Sequence, residues 1–104
     1  MKILLVCAGG LSSSIVMKKV RKYGEEIGED IVIEAVGVAD CEEEAQKGYD
    51  CVLTAPQVRN RFKELQKMVS IPIEAMAPQD YAIGNAKNIV ALAKKNQCRK
   101  GVIT

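Results

Sequence analysis

The residue types best suited to chemistry lie together near the start of the chain, in the segment Cys7-Ala-Gly-Gly-Leu-Ser-Ser-Ser14. A short apolar run precedes this segment and a run with helical periodicity follows it, so it should connect a strand to a helix. Gly9 and Gly10 permit a tight turn that brings backbone N–H groups close to a ligand. The start of the helix adds unpaired N–H donors and the positive end of its dipole, and the serines add hydroxyl groups. The pattern therefore predicts a loop that binds an anion such as phosphate.

Cys7 opens this loop and could act as its nucleophile. The electropositive surroundings that favour an anion also favour the thiolate, which is the reactive form of cysteine. The local sequence thereby places a nucleophile beside the donors that would stabilise a developing negative charge. The alternative is that Cys7 is a buried thiol at the end of a strand and that the glycines only form a turn. The loop contains neither G-x-x-x-x-G-K-[ST] nor G-x-G-x-x-G, so a nucleotide site is not indicated.

Histidine is absent from the chain, which excludes several kinds of site. Without it the protein lacks the commonest general base and the commonest metal ligand, and it cannot form phosphohistidine. The acidic residues are spread over a solvated segment, so no metal site is predicted, and no cofactor is indicated. The four cysteines, at positions 7, 41, 51 and 98, include no C-x-x-C pair. They are expected to be reduced thiols of a cytosolic protein, with Cys51 in the core and Cys41 incidental.

The composition of the chain narrows the class of partner. The 104 residues suffice for one domain, and a net charge of +2 with interleaved signs gives no footprint for nucleic acid. Three Tyr, one Phe and no Trp likewise argue against a platform for stacked bases. The apolar run Ile3 to Val6 is far shorter than the roughly 20 residues of a membrane helix, so no direct membrane insertion is expected.

Hydrophobic patterning predicts four strands that alternate with four helices. The strands are expected over residues 2–7, 31–36, 49–53 and 71–76, and the helices from the serines to Gly28 and over 40–47, 58–69 and 85–95. Asp40 is a candidate N-cap for the second helix. Pro72 predicts that the last strand lies at a sheet edge or that the proline lies near the start of that strand. This alternation is typical of an α/β fold with a parallel sheet and helices on both faces, in which ligands bind at the carboxyl ends of the strands. We expect one domain over 1–96 and a tail over 97–104, without clear pattern, for which disorder is expected.

Three separated motifs resemble those of one protein family. The segment Ile3-Leu-Leu-Val-Cys-Ala-Gly-Gly-Leu-Ser-Ser-Ser14 is similar to the phosphorylation loop of the lactose/cellobiose-type IIB components of the bacterial sugar phosphotransferase system. Thr54-Ala-Pro-Gln-Val-Arg59 is similar to the Gly-Pro-Gln-Val segment of that family, and Asp80-Tyr81 followed by Asn85 resembles a third motif. Alanine replaces the glycine that is usual in the family at Ala55, Ala82 and Ala86. These departures could alter loop geometry, but they leave the nucleophile in place.

The resemblance implies a fold, a chemistry and two partners. The fold is a flavodoxin-like or low-molecular-weight phosphatase-like sheet of four parallel strands in the order 2-1-3-4. Cys7 would receive a phosphoryl group from a phosphohistidine of the IIA component. It would pass that group to a sugar, such as the β-disaccharide cellobiose or chitobiose, which is bound by the membrane component IIC. The protein would then be a cytoplasmic phosphotransferase that is peripherally associated with IIC.

The same resemblance assigns roles to individual residues. The positions that match the cradle of the phosphate are Ala8, Gly9, Gly10, Leu11, Ser12, Ser13 and Ser14. Pro56, Gln57 and Tyr81 match motif positions near that loop and are expected to support it.

The loop also resembles the C-x5-R-[ST] signature of low-molecular-weight tyrosine phosphatases and arsenate reductases. Ser13 stands where those enzymes have the arginine that grips phosphoryl oxygens, and Asp80 is the only candidate acid for a leaving group. A carrier needs a long-lived thiophosphate, so the missing arginine favours a carrier over a hydrolase. A binding or redox module of the same fold is a third alternative, although the cysteine spacing offers no disulfide pair. The cations Arg59, Arg61 and Lys63 could dock an acidic partner or only form a solvated helix face.

Overall fold

The computed structural model describes residues 1–8 and 11–103, and the side chains of all of these except residues 11, 12 and 96–103. Strands and helices alternate along the chain. The strands are β1 (Lys2–Val6), β2 (Val32–Val36), β3 (Cys51–Thr54) and β4 (Ile73–Ala75). A 3₁₀ helix over Pro56–Arg61 leads directly into the third of the five α-helices in the described part of the chain. These are α1 (Leu11–Glu26), α2 (Val38–Ala45), α3 (Phe62–Met68), α4 (Pro78–Ile83) and α5 (Ala86–Ile103).

The four strands form one parallel sheet in the order β2-β1-β3-β4. β1 lies inside the sheet, where Val6 is beside Val36 of β2 on one side and Thr54 of β3 on the other. The carboxyl ends of these three strands therefore meet at one edge, and the segments that follow them are neighbours. Within the described residues β4 pairs only with β3, and it begins directly after Pro72, so both alternatives predicted from that proline, an edge strand and a proline near the strand start, hold. The predicted fold class and strand order are confirmed.

Side chains of β1 alternate between the two faces of the sheet, and each face carries its own apolar core. Ile3 and Leu5 belong to one cluster, which also contains buried residues of α1, α4 and α5. Leu4 and Val6 belong to a second cluster, together with buried residues of α2, α3 and the 3₁₀ helix. The nearly continuous apolar sequence of β1 is thus explained by burial on both faces.

The second and third helical segments begin earlier than the sequence predicts. α2 starts at Val38 and its N-cap is Gly37 in an extended conformation, so the prediction that Asp40 caps this helix is wrong. Asp40 instead lies in the first turn, where its charge is favourable to the positive end of the helix dipole. The predicted helix over 58–69 is a 3₁₀ helix followed by α3. It starts early because Pro56 supplies a φ angle that suits the first position of a helical turn.

A short helix that the sequence analysis missed, α4, precedes the last helix. Pro78 at its first position is a signal for a helix start, and Gly84 ends the helix with a φ of 62°. The N–H of Asn85 donates to the Asp80 carbonyl at 2.8 Å and closes this turn. The segment around Tyr81 is therefore helical, although it lies outside the helices and strands that the sequence predicts.

The ends of the two long helices were predicted with unequal success. α1 ends just before Gly28, whose positive φ and N–H bond to the Glu25 carbonyl are typical of a helix that terminates at glycine. α5 continues to Ile103, whereas the sequence predicts its end at Lys95.

The division into a domain over 1–96 and a tail over 97–104 stays a prediction. Of the helices in the described part of the chain, none is both long and apolar enough to cross a membrane.

Replacing Gly84 by alanine should lower the free energy of unfolding by about 1–2 kcal/mol. The positive φ is costly for a residue with a Cβ, and that Cβ would lie 2.7 Å from Cδ of Lys19. Lys19 donates a hydrogen bond to the Ile83 carbonyl at 2.8 Å, which its displacement would break. Gly37→Ala is the matched control, because Gly37 has a φ of −79° and open space for a Cβ. Denaturant unfolding should show a clear loss only for Gly84→Ala, and equal losses would contradict this explanation.

A buried tyrosine near the amino end of β3 should make the fold sensitive to alkaline pH. Burial raises the pKa of Tyr49 to about 12, and the hydrogen bond that its hydroxyl donates to Glu44 at 3.1 Å acts in the same direction. Because this folded-state pKa lies above the ordinary value of 10.0, the stabilisation is complete below pH 10 and is lost as the pH rises towards 12. Denaturant unfolding should show a free energy of unfolding that falls over this range, and falls less in Tyr49→Phe. If the free energy of unfolding falls equally with pH in the parent and in Tyr49→Phe, Tyr49 is not the cause of the alkaline destabilisation.

Candidate functional site

Cys7 is the first residue after β1 and lies at the carboxyl edge of the sheet. Its backbone N–H extends the pairing of β1 with β2 by donating to the Val36 carbonyl at 3.0 Å. Its thiol donates to the same oxygen, with 3.9 Å between Sγ and O. Only 3% of the residue is exposed, and it belongs to the same core cluster as Leu5. The position of the sulfur is therefore set by two adjacent strands.

A surface cavity of about 390 Å³ reaches Cys7. Cys7 and Ala8 form one part of its wall, the start of α2 forms a second part, and the 3₁₀ helix forms a third. The lining residues from these two helical segments are Gly37, Val38, Ala39, Gln57, Val58, Asn60 and Arg61. The low exposure of Cys7 is what a buried strand-end thiol would show, but a purely structural thiol does not require a cavity. The arrangement suits a thiol that is shielded from bulk water and is reached by a ligand through the cavity.

The loop that follows Cys7 is described only in part. Ala8 is exposed and lines the cavity beside the thiol. The predicted positions that lie outside the described residues, in whole or by their side chains, are Gly9, Gly10, Leu11 and Ser12. The phosphate cradle over residues 8–14 therefore stays a prediction.

The three serines lie inside α1. The sequence predicts a helix that starts at these serines, whereas the helix begins at Leu11, so Ser12–Ser14 belong to its first turn. Ser13 is 6% exposed, whereas Ser14 is exposed to solvent. The first N–H groups of a helix have no partner within that helix, so this start supplies backbone donors soon after Cys7.

The three supporting residues are placed differently from one another. Pro56 opens the 3₁₀ helix, and Gln57 in the same turn lines the cavity of Cys7. Tyr81 lies in α4 and is buried in the core cluster that also contains Cys7. The structure thus brings Gln57 to the cavity and Tyr81 to the core behind it, while Pro56 shapes the turn that carries Gln57.

Several residues of the cavity wall were not predicted. Gly37, Val38 and Ala39 at the start of α2 line the cavity, and so does Asn60 of the 3₁₀ helix. The strand order is the signal that could have found the first three. Since β2 lies next to β1, the turn after β2 must border the turn after β1.

Arg61 is the charged side chain among the described residues that line this cavity. Its Nε donates to Oε2 of Glu64 at 2.6 Å, and its Nη2 donates to Oε1 of the same carboxylate at 3.0 Å. These hydrogen bonds lower the pKa of Glu64 and raise the pKa of Arg61, so both groups are charged at neutral pH. Both side chains are about half exposed. The cavity wall therefore contains a guanidinium that is paired with Glu64, whereas the donors that the sequence predicts beside Cys7 are backbone N–H and serine hydroxyl groups.

Asp80, the candidate acid for a leaving group, has a structural role. Its Oδ1 accepts a hydrogen bond from Nδ2 of Asn88 at 3.0 Å. Asn85 caps α5 beside it, because its Oδ1 accepts from the N–H of Asn88 at 3.2 Å. Asp80 lines a different cavity, next to β4 and α5. Among the described residues that line the cavity of Cys7 there is no carboxylate, so that wall offers no acid to protonate a leaving group.

Comparison with known proteins identifies similar sequences and folds. The family model described as PTS system, Lactose/Cellobiose specific IIB subunit, matches residues 2–92. The PTS system oligo-beta-mannoside-specific EIIB component of Bacillus subtilis (strain 168) is 36% identical over 89 residues, which cover 83% of this chain and 85% of that protein. The solution structure of a cellobiose-specific phosphotransferase IIB component from Borrelia burgdorferi is 33% identical, with a TM-score of 0.80 over 96% of this chain and 94% of that chain. A lactose-specific IIB domain from Streptococcus pneumoniae, at 20% identity, shares the fold with a TM-score of 0.74 over 90% of this chain and 95% of that chain.

The family match spans every strand and all the segments that line the cavity of Cys7. Such components are phosphotransferases of the carbohydrate phosphotransferase system. Sequence, sheet topology and solved structures agree, and the chain belongs to the lactose/cellobiose-specific IIB family of that system.

Proposed function

We propose that this IIB component carries a phosphoryl group on the Sγ atom of Cys7. The donor is a phosphohistidine of the IIA component, and the acceptor is a sugar bound by the membrane component IIC. The single observation that supports this most directly is the position of Cys7, at the carboxyl edge of the sheet and in the wall of a surface cavity. A ligand at that edge meets the starts of the helices that follow the strands, which favours a negatively charged group.

Two substitutions at phosphorus make up the proposed reaction. In the first, the Cys7 thiolate attacks the phosphohistidine, an S–P bond forms, the N–P bond breaks and neutral imidazole is left after proton uptake. In the second, a sugar hydroxyl attacks, an O–P bond forms, the S–P bond breaks and the thiolate is regenerated while the hydroxyl loses its proton. The nearly covered sulfur supports this scheme because exclusion of bulk water protects a phosphocysteine between the two steps.

The proposed cradle for the phosphoryl group is the segment from Ala8 to Ser14, with Gln57 in the facing wall. α1 begins within this segment and supplies backbone N–H donors. Gln57 contributes an amide N–H₂ from the 3₁₀ helix. Pro56 and Tyr81 are proposed to act indirectly, by holding the turn and the core beside the loop.

The cavity wall supports a carrier more than a hydrolase. No carboxylate lines it among the described residues, and Asp80 is engaged with Asn88 at another cavity. Ser13, at the position of the phosphatase arginine, is a neutral side chain. A phosphocysteine in this setting has no evident catalyst for attack by water.

The sugar is proposed to be a β-linked oligosaccharide. This proposal rests on the names of the relatives, which are specific for oligo-beta-mannoside and for cellobiose. The sugar itself would be held by IIC, so the chain needs only to present the phosphoryl group to it.

The test is to incubate the chain with the phosphorylated IIA component and to locate the modification by mass spectrometry. We expect one acid-labile phosphoryl group, in the peptide that contains Cys7. Transfer to a β-disaccharide should then require membranes that contain IIC. If the chain instead hydrolyses an aryl phosphate with repeated turnover, or forms a disulfide in place of a phosphorylated species, the proposal is wrong.

A further inference from the structure

The cavity at Cys7 continues along the surface beside α2. A second cavity of about 520 Å³ shares Val38, Ala39 and Arg61 with it and is also lined by Glu42 and Glu43. Arg61 therefore stands where the two cavities meet, one containing the thiol and the other containing two carboxylates. No other described residue with a charged side chain lines both of them.

A phosphoryl group on Cys7 would add a negative charge of roughly two units to the first cavity. The wall there consists of small apolar residues, the amides Gln57 and Asn60, and the guanidinium of Arg61. Glu42 in the adjoining cavity would repel the new charge, while Arg61 would attract it. A guanidinium can also donate two parallel hydrogen bonds to phosphoryl oxygens, which a lysine cannot do.

We propose that Arg61 exchanges Glu64 for the phosphoryl group when Cys7 is phosphorylated, and thereby stabilises the phosphocysteine and positions the phosphoryl group for transfer. The pair with Glu64 is half exposed, and ion pairs in such settings contribute little to stability, so its loss is a small cost. The phosphoryl group carries more charge than the carboxylate, so it competes well for the same donors. This inference rests on the proposed function, because it concerns the phosphorylated form.

Arg59 provides a matched control on the same 3₁₀ helix. It is exposed and is not among the described residues that line the cavity of Cys7. Loss of its charge changes the net charge of the protein as much as loss of Arg61 does. A difference in behaviour between the Arg61 and Arg59 variants therefore depends on where the arginine lies and not on the net charge of the protein.

The experiment follows the equilibrium between the phosphorylated IIA component and the phosphorylated chain by ³¹P NMR. Arg61→Gln should lower the ratio of phosphocysteine to phosphohistidine about tenfold, as expected for the loss of one charge-assisted hydrogen bond. Arg61→Lys should restore part of this loss, and Arg59→Gln should leave the ratio unchanged. Glu64→Gln should raise the ratio, by up to about fivefold, because it frees the guanidinium.

A second readout separates a direct role from a structural one. The ³¹P chemical shift of the phosphocysteine titrates with pH, and removal of a nearby cation should raise the second pKa of the phosphoryl group in Arg61→Gln but not in Arg59→Gln. Suppose that the parent protein accepts a phosphoryl group, but that Arg61→Gln and Arg59→Gln do not differ from each other in the ratio of phosphocysteine to phosphohistidine or in the second pKa of the phosphoryl group. This inference is then overturned, while the proposed function stands. A ratio in Glu64→Gln that equals or falls below that of the parent would overturn the exchange. If the parent protein accepts no phosphoryl group, the proposed function fails first.

Discussion

Replacing Cys7 by serine is expected to abolish phosphorylation of the chain by the phosphorylated IIA component. A serine hydroxyl is protonated at neutral pH and is a weak nucleophile without a base, and no described residue in the cavity wall could serve as one. Serine also keeps a donor near the Val36 carbonyl, so the fold should be retained. Intact-mass spectrometry after incubation with the donor should show complete loss of the phosphorylated species, a drop of at least about a hundredfold.

Cys41→Ala is the control for this result. Cys41 is a buried thiol of the other core cluster, and burial raises its pKa, so it is held in the unreactive protonated form. The sequence predicts an incidental thiol at this position, whereas the structure shows that Cys41 is part of the core. We expect Cys41→Ala to be phosphorylated to the same extent as the parent. Phosphate found on Cys7→Ser at a different residue would show that the nucleophile had been misassigned.

Replacing Leu5 by alanine is expected to lower the free energy of unfolding by about 3 kcal/mol. Leu5 is fully buried in the central strand, in the cluster that α1, α4 and α5 cover, so its truncation leaves a cavity with little room to collapse. For a domain of this size the melting temperature should fall by roughly 12–24 °C. Thermal and denaturant unfolding monitored by circular dichroism would measure both quantities.

Ile83→Ala is the matched control for the core variant. Ile83 has a similar side chain, but it is 62% exposed at the end of α4. Its truncation should change the free energy of unfolding by less than about 0.5 kcal/mol. Comparable losses in the two variants would mean that the cluster around Leu5 is not the main source of stability on this face.

The architecture was predictable from the sequence because its signals are local and repeated. β1 is buried on both faces, so its apolar run is nearly continuous. Pro72 lacks an N–H to donate, which limited β4 to an edge position or to a start close to the proline. The position of Cys7 at the end of β1 was predicted correctly, because the apolar run is followed closely by two glycines, which are typical of a turn after a strand. The strand order came from the family resemblance, because patterning alone does not say which strands are neighbours.

The parts that were missed depend on length or on tertiary arrangement. α4 is too short to show helical periodicity, although Pro78 and Gly84 mark its two ends. The positive charge in the wall could not be assigned either, because Arg61 in a run of cations looks the same as a solvated helix face. Arg61 differs from Arg59 only in the tertiary structure, where Arg61 lines the cavity of Cys7 and Arg59 does not.

The carbonyl oxygen of Val36 has two donors, the N–H and the thiol of Cys7. A group attached to the sulfur removes the weaker of the two and leaves the N–H bond of 3.0 Å in place. The buried carbonyl oxygen therefore keeps a hydrogen-bond donor. A buried acceptor left without any donor would cost about 1–3 kcal/mol. Under the proposed function, Cys7 can gain and lose a phosphoryl group repeatedly while its backbone hydrogen bond to β2 stays intact.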